Sequence, residues 1–283
     1  RIPQIVIVLP EYNFSPYICK ALKGIYHYAQ LHQLMVHIIV RDSQHKESLL
    51  ELIREQQYSG VIAIFSGVYQ QELYQLDGTE LPTVVLDSRT AGSNIGFIDN
   101  DSYSGSCIAT KYLLDLGHRK IGYLTYSKQL LNQVERLKGF ENTLKSAGID
   151  CPKEQIVEFD GAKNFPAINL QGVPSMKQLL KAVPDVTAVM TVDDNMALGA
   201  MTAIHEAGLK IPNDISIIGF DNYPESAGWY PALTTVDHPI EQAGYMAVEA
   251  IHLGLQSLDA WRSPQEILPT TLVIRESTGP VRQ

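Results

Sequence analysis

Short apolar runs alternate with longer stretches of helical period along most of the chain. The apolar runs, rich in Val and Ile, fall at residues 5–9, 35–40, 61–65, 83–86, 121–125, 156–159, 188–192 and 215–220. They are nearly continuous rather than alternating with polar residues, the pattern of strands buried on both faces. Between them the 3.6-residue period predicts helices over 16–30, 46–56, 103–116, 134–147, 175–181, 195–207 and 240–253. Strict strand–helix alternation predicts an α/β fold of parallel sheets joined by right-handed crossovers. Gly117, Gly148 and Gly208 each follow a helical stretch, where a residue free to turn left-handed closes a helix.

The tail adds a strand after Leu233, the 240–253 helix and a final strand over 271–274, so the chain is expected to cross between lobes more than once. The expected division is two Rossmann-like lobes, 1–117 with 238–262 and 118–237 with 263–283.

Composition narrows the function. The 283 residues are 45% hydrophobic and 19% charged, the balance of a packed globule. No apolar run is long enough to span a bilayer, and the stretch after Arg1 is too short for a secretory signal. The net charge of −9 and the lack of any basic cluster beyond His118-Arg119-Lys120 argue against direct phosphate contact by these residues. Cys19, Cys107 and Cys151 are scattered, odd in number and without CxxC spacing, which fits reduced thiols in cytoplasm. Phosphate loops, dinucleotide fingerprints and nucleophile elbows are missing, and His205-Glu206 has no following His to make a zinc helix. No catalytic constellation, cofactor or metal is expected.

Several segments in order are similar to the effector-binding region of the lactose/galactose repressor (LacI/GalR) family. They begin with Ser15-Pro16-Tyr17-Ile18 followed by Leu22-Lys23-Gly24-Ile25. Next come Leu116-Gly117-His118-Arg119-Lys120-Ile121 and Arg136-Leu137-Lys138-Gly139-Phe140. Asp193-Asp194-Asn195-Met196-Ala197-Leu198-Gly199 stands where the family usually has Asn-Asp-x-x-Ala-x-Gly. The later segments are Asp214 through Asn222, Pro231-Ala232-Leu233-Thr234-Thr235-Val236 and Leu272 through Thr278. The resemblance implies a periplasmic-binding-protein-like fold and a sensing and homodimerisation role in a transcription regulator. Contact with DNA would fall to a helix-turn-helix domain that family members carry before the first strand, where this chain begins. A periplasmic sugar-binding protein of a transporter shares the architecture and is the alternative.

Open parallel sheets bind ligands outside the carboxyl ends of their strands, and several polar residues fall there. Asp221 follows the 215–220 strand and can accept hydrogen bonds from vicinal hydroxyls, or simply make an Asp-Asn turn. Arg136 offers a planar fork to sugar oxygens, or is a solvated helix arginine. Asp193 replaces the family's amide and is acceptor-only, with helix capping as its competing role; Asp194 is expected to be the cap. Tyr17 could stack on a sugar ring or pack internally. Phe165 is a candidate for the opposite stacking wall, and Asn13 and Asp101 are candidates in loops near strand ends. Ser104 falls where some relatives carry an acidic contact. A small-molecule effector touching both lobes would favour a closed arrangement and alter DNA binding. The helix carrying Ile240, Ala243, Ala247, Ala250 and Ile251 suits either deep burial or a subunit interface.

Overall fold

The structure, a computed structural model, describes residues 2–9, 15–41, 48–64, 70–90, 92–126, 130–159, 171–256 and 261–282. The chain runs through β1 (Gln4–Leu9), α1 (Pro16–Leu31), β2 (Met35–Val40), α2 (Leu49–Gln56), β3 (Gly60–Ile64), α3 (Gln70–Asp77), β4 (Thr83–Leu86) and β5 (Ile95–Asn100). It continues through α4 (Ser102–Asp115), β6 (Ile121–Tyr126), α5 (Leu131–Ser146), β7 (Ile156–Phe159), α6 (Gly172–Ala182), β8 (Ala188–Thr191), α7 (Asp194–Glu206), β9 (Ser216–Phe220) and β10 (Thr234–Asp237). It ends with α8 (Ile240–Gln256), β11 (Gln265–Leu268) and β12 (Thr271–Val273).

Two compact units result, one of Arg1–Asn100 with Pro239–Leu268 and one of Asp101–His238 with Pro269–Gln283. Each holds one six-stranded sheet, in the orders β11-β5-β4-β3-β1-β2 and β12-β10-β9-β8-β6-β7. The first sheet is parallel throughout, and the second is parallel except for β12, which runs against β10. The two sheets repeat one winding, with the order reversing beside β1 in the first and beside β6 in the second. The α/β class read from the alternating pattern is the class observed.

The continuous apolar runs are explained by helices on both faces. In the second unit Leu124, Val189 and Ile217 join the core under α6 and α7, while their neighbours Tyr123, Met190 and Ile218 join the core under α4 and α5. Each successive residue therefore buries on the opposite face, which is why these strands are largely apolar. In the first unit Val6, Val61 and Val85 pack with Leu49, Ile53, Leu73 and Leu76 of α2 and α3, and α8 lies on β3, β4 and β5.

The unit boundaries differ from the expected ones in three places, the smallest being His238, which falls in the second unit. Residues 101–117 belong to the second unit, because Ala109 and Leu113 of α4 bury against Tyr123 and Phe140. Gly139 permits that packing, since a Cβ there would run into the Tyr103 carbonyl and Ser106 of α4. Residues 263–268 belong to the first unit, because Gln265 to Leu268 pair in parallel with Phe97 to Asn100. Strands β5 and β11 and helix α3 lie outside the apolar runs and helical stretches read from the sequence. On α8, Ile240, Ala243, Ala247 and Ile251 are buried within their own unit, where the helix packs along α1. Those positions are core, and only Leu253 among the helix's large apolar residues is well exposed. Gly117, Gly148 and Gly208 all adopt positive φ, as their places after helices predict.

Candidate functional site

Parallel strands put all their carboxyl ends on one edge, and in the second unit that edge collects Tyr126 of β6, Asp193 after β8, Asp221 after β9 and His238 after β10. Helix α5 starts from the same edge and carries Arg136. Tyr126 and Asp193 stand on the two strands beside which the order reverses, the position where open α/β sheets bind ligands.

Arg136 is 3% exposed and lies flat on Phe220, its Cζ 3.7 Å from the ring centroid. All three of its nitrogens donate within the unit. Nη2 donates to Asp221 Oδ1 at 2.9 Å, Nη1 to the Val192 carbonyl at 2.6 Å and Nε to Ser102 Oγ at 3.3 Å. Asp221 is buried as well, with His238 Nδ1 3.4 Å from the same oxygen.

The backbone at Asp221 explains how the carboxylate is presented. Asp221 and Asn222 take φ of 95° and 49°, left-handed values that are costly for residues with a Cβ. Three successive amides hold the chain there. Asp221 N–H donates to the Val236 carbonyl at 2.8 Å, Asn222 N–H to Thr235 Oγ1 at 3.3 Å and Tyr223 N–H to Asp194 Oδ2 at 2.8 Å. The Asn222 side chain bridges Arg275 Nη2 at 2.6 Å and Asp237 Oδ1 at 2.8 Å.

Asp193 caps α7: its Oδ1 accepts from Met196 N–H at 2.8 Å and its Oδ2 from the Tyr126 hydroxyl at 2.9 Å. Low-polarity surroundings, reinforced by the charge of Asp221, push its carboxyl up to about 6. The expectation that Asp194 is the cap is corrected, because the helix begins one residue earlier than its apolar pattern does. Asp194 is instead wholly buried inside the first turn, bonded to Tyr223 N–H and, at 2.6 Å, to Thr235 Oγ1. Gly219 makes the room, since a Cβ there would overlap the Asp194 carboxyl. Burial pushes this carboxyl up to about 8, against the downward pull of its two hydrogen bonds.

The structure thus brings Arg136, Asp193 and Asp221 to one edge. Asp101, in the same unit, caps α4 through Ser104 N–H at 2.9 Å. Tyr17, in the first unit, is buried in the opening turn of α1 at 4% exposure. Asn13 and Phe165 lie outside the described residues. Sequence reasoning missed Tyr126, Ser102, Thr235 and His238. Tyr126 and His238 could have been found by asking which residues end or follow each strand. Ser102 and Thr235 act only through pairings distant in sequence. Among the described residues no cluster of His, Cys, Asp and Glu could hold a metal ion. The geometry offers hydrogen-bond acceptors whose positions are fixed by the fold at one edge of the second sheet.

Comparison with known proteins converges on one family. The model of the periplasmic binding protein-like domain matches residues 110–278. The transcriptional repressor PurR of Aliivibrio salmonicida is 32% identical over 247 residues, 86% of this chain and 72% of that protein. The ribose operon repressor of Haemophilus influenzae is 31% identical over 93% of this chain and 77% of its own length. Among solved structures, a LacI family transcriptional regulator from Enterococcus faecium superposes with a TM-score of 0.85 at 26% identity, covering 99% of this chain and 100% of that one. A transcriptional regulator LacI from Bacillus cereus subsp. cytotoxis gives 0.86 at 25% identity over the full length of both chains. The chain belongs to the LacI/GalR family of transcription regulators, through its periplasmic-binding-protein-like domain.

Proposed function

We propose that this chain senses a sugar or a related small polar effector for a transcription regulator, and that Arg136, Asp193 and Asp221 hold that effector. The observation that carries the reading is the Arg136–Asp221 pair, buried and locked at the strand tips beside the Asp193 cap. Rigid acceptors of this kind lose little freedom when they bind a ligand, which favours affinity and selection. Two relatives support a sugar: one is named a ribose operon repressor, and the Enterococcus faecium structure contains bound ribose. The repressor relatives also favour regulation over the transporter alternative. With a net charge of −9 the chain is a poor partner for phosphates, so we assign it sensing rather than DNA contact. We further assign it to the cytoplasm and to a homodimer; sedimentation at micromolar concentration should give twice the chain mass, and a monomer would remove the dimer.

The effector role is tested by thermal shift with a panel of pentoses and hexoses. A ligand at a hundred times its dissociation constant stabilises by about 2.7 kcal/mol, so at least one sugar should raise the Tm by several degrees. Asp221→Asn should abolish that rise. A variant that binds the same sugar as tightly as the parent would remove Asp221 from the site.

A further inference from the structure

Charges around the strand tips of the second unit fall into matched sets with one exception. Arg136 and Asp221 neutralise each other at 2.9 Å. Arg275 donates to Asn222, the Leu233 carbonyl and Ser226, and Asn222 passes the contact on to Asp237, so that cation and anion share one bridge. Asp194 is kept largely protonated near neutral pH by burial. His238 already lies against Asp221. Asp193 remains, half-buried, with only the Met196 amide and the Tyr126 hydroxyl on its oxygens, and no cation within ion-pair reach among the described residues.

The position matters as much as the charge. An open helix N-terminus presents free amides and a partial positive charge, and phosphate groups bind readily there. At the start of α7 the Asp193 carboxylate occupies that place, and when ionised it can only accept hydrogen bonds. An amide could cap the helix with its oxygen and still offer an N–H to a ligand oxygen. The carboxylate instead requires a ligand that donates. An incoming phosphate ester would find no donor from this side chain and a like charge within the site.

We propose that Asp193 is the specificity-determining residue of the effector site, restricting it to an uncharged polyhydroxyl ligand and rejecting the phosphate ester of the same ligand. Hydroxyls of a neutral sugar donate to the carboxylate, while a dianionic ester is repelled before any hydrogen bond forms. This inference rests on the reading of the strand tips as the effector site.

The experiment is a thermal-shift and calorimetric panel on the whole chain at pH 7.5. Uncharged pentoses, hexoses, pentitols and nucleosides are each paired with their monophosphate. At least one neutral member should bind, with its monophosphate at least a hundredfold weaker. In Asp193→Asn, which supplies an amide and keeps a cap on α7, the discrimination should fall to tenfold or less. A monophosphate binding as tightly as its neutral partner overturns the inference while leaving the effector role intact. Unchanged discrimination in Asp193→Asn overturns the assignment to Asp193. A panel without any binder, neutral or charged, overturns the effector reading and this inference with it.

Discussion

The two units wind their sheets in the same order, yet they finish the strand tips differently. In the first unit Arg41, just after β2, pairs with Glu72 at 2.8 Å, but the glutamate side chain is 32% exposed. Arg89 pairs with Asp99 at 2.9 Å, with the arginine side chain 29% exposed. In the second unit Arg136 and Asp221 are 3% and 7% exposed, so neither partner can turn to water. A common fold supplies the same edge twice. What separates the edges is whether both members of an ion pair are sealed in, because only then does losing one strand the other in a low-dielectric interior.

The sharpest way to break this comparison is to remove one arginine from each edge. Arg136→Met should lower unfolding free energy by about 3–5 kcal/mol, the usual cost of leaving a buried charge without its partner. Arg41→Met should cost about 1 kcal/mol or less, since Glu72 can recover its hydration. Urea titrations of the two variants give the numbers. Equal losses would mean that sealing the pair is not what distinguishes the edges.

Most of the fold was legible in the sequence because the strands are short, largely apolar runs rich in Val and Ile set between stretches of helical period. The stretches 35–40, 83–86 and 156–159 match β2, β4 and β7 end to end. The elements that escaped are the ones without that signature. Gly96 and the polar Asp99-Asn100 interrupt β5, three of the four residues of β11 are exposed, and α3 (QQELYQLD) carries few apolar positions. The site was legible as a set of strand tips: Asp193 and Asp221 each follow an apolar run that marks a strand. The pairing was not legible, because Arg136 and Asp221 meet across 85 residues. Asp193 caps α7 and Asp194 fills its first turn because the helix begins one residue before its apolar pattern does. Whether a carboxylate caps a helix or fills its first turn is decided by which amide it reaches, and spacing alone leaves that open.

Asp194 gives the next test, again with the first edge as its counterpart. A carboxyl raised to about 8 in the folded protein, against about 3.9 in an unfolded chain, binds its proton more tightly when folded. Between about pH 4 and pH 8 the folded state therefore holds a proton that the unfolded chain lacks. By linkage, stability from this group is greatest at low pH and is lost as pH rises through the folded value. Asp193, raised to about 6, acts in the same sense over a narrower window. Asp194→Asn keeps an oxygen for Tyr223 N–H and an N–H for Thr235 while removing the titration. It should flatten the decline in Tm between pH 5 and pH 8, a difference on the order of a few kcal/mol at the alkaline end. Arg41→Met should leave the slope of that curve unchanged, and a parental slope in Asp194→Asn would sink the assignment.

The smallest effect concerns the place where the strand order reverses. Tyr126 and Asp193 tie the tips of β6 and β8 together through a 2.9 Å hydrogen bond. The equivalent tips of the first sheet follow Leu9 and Ile64, and the residues just beyond them lie outside the described ones. Tyr126→Phe removes one hydroxyl from a half-buried position where water can take part of its role. The stability loss should be about 1 kcal/mol or less. The charge effect is more diagnostic. The hydroxyl favours the ionised form of Asp193, so its loss should move that carboxyl above 6. If Asp193 must be ionised to accept from the effector, the acidic limb of the affinity–pH curve should shift to higher pH in Tyr126→Phe. Calorimetry between pH 5 and pH 8 measures that limb, and a curve superimposable on the parent's would separate the Tyr126–Asp193 bond from effector binding.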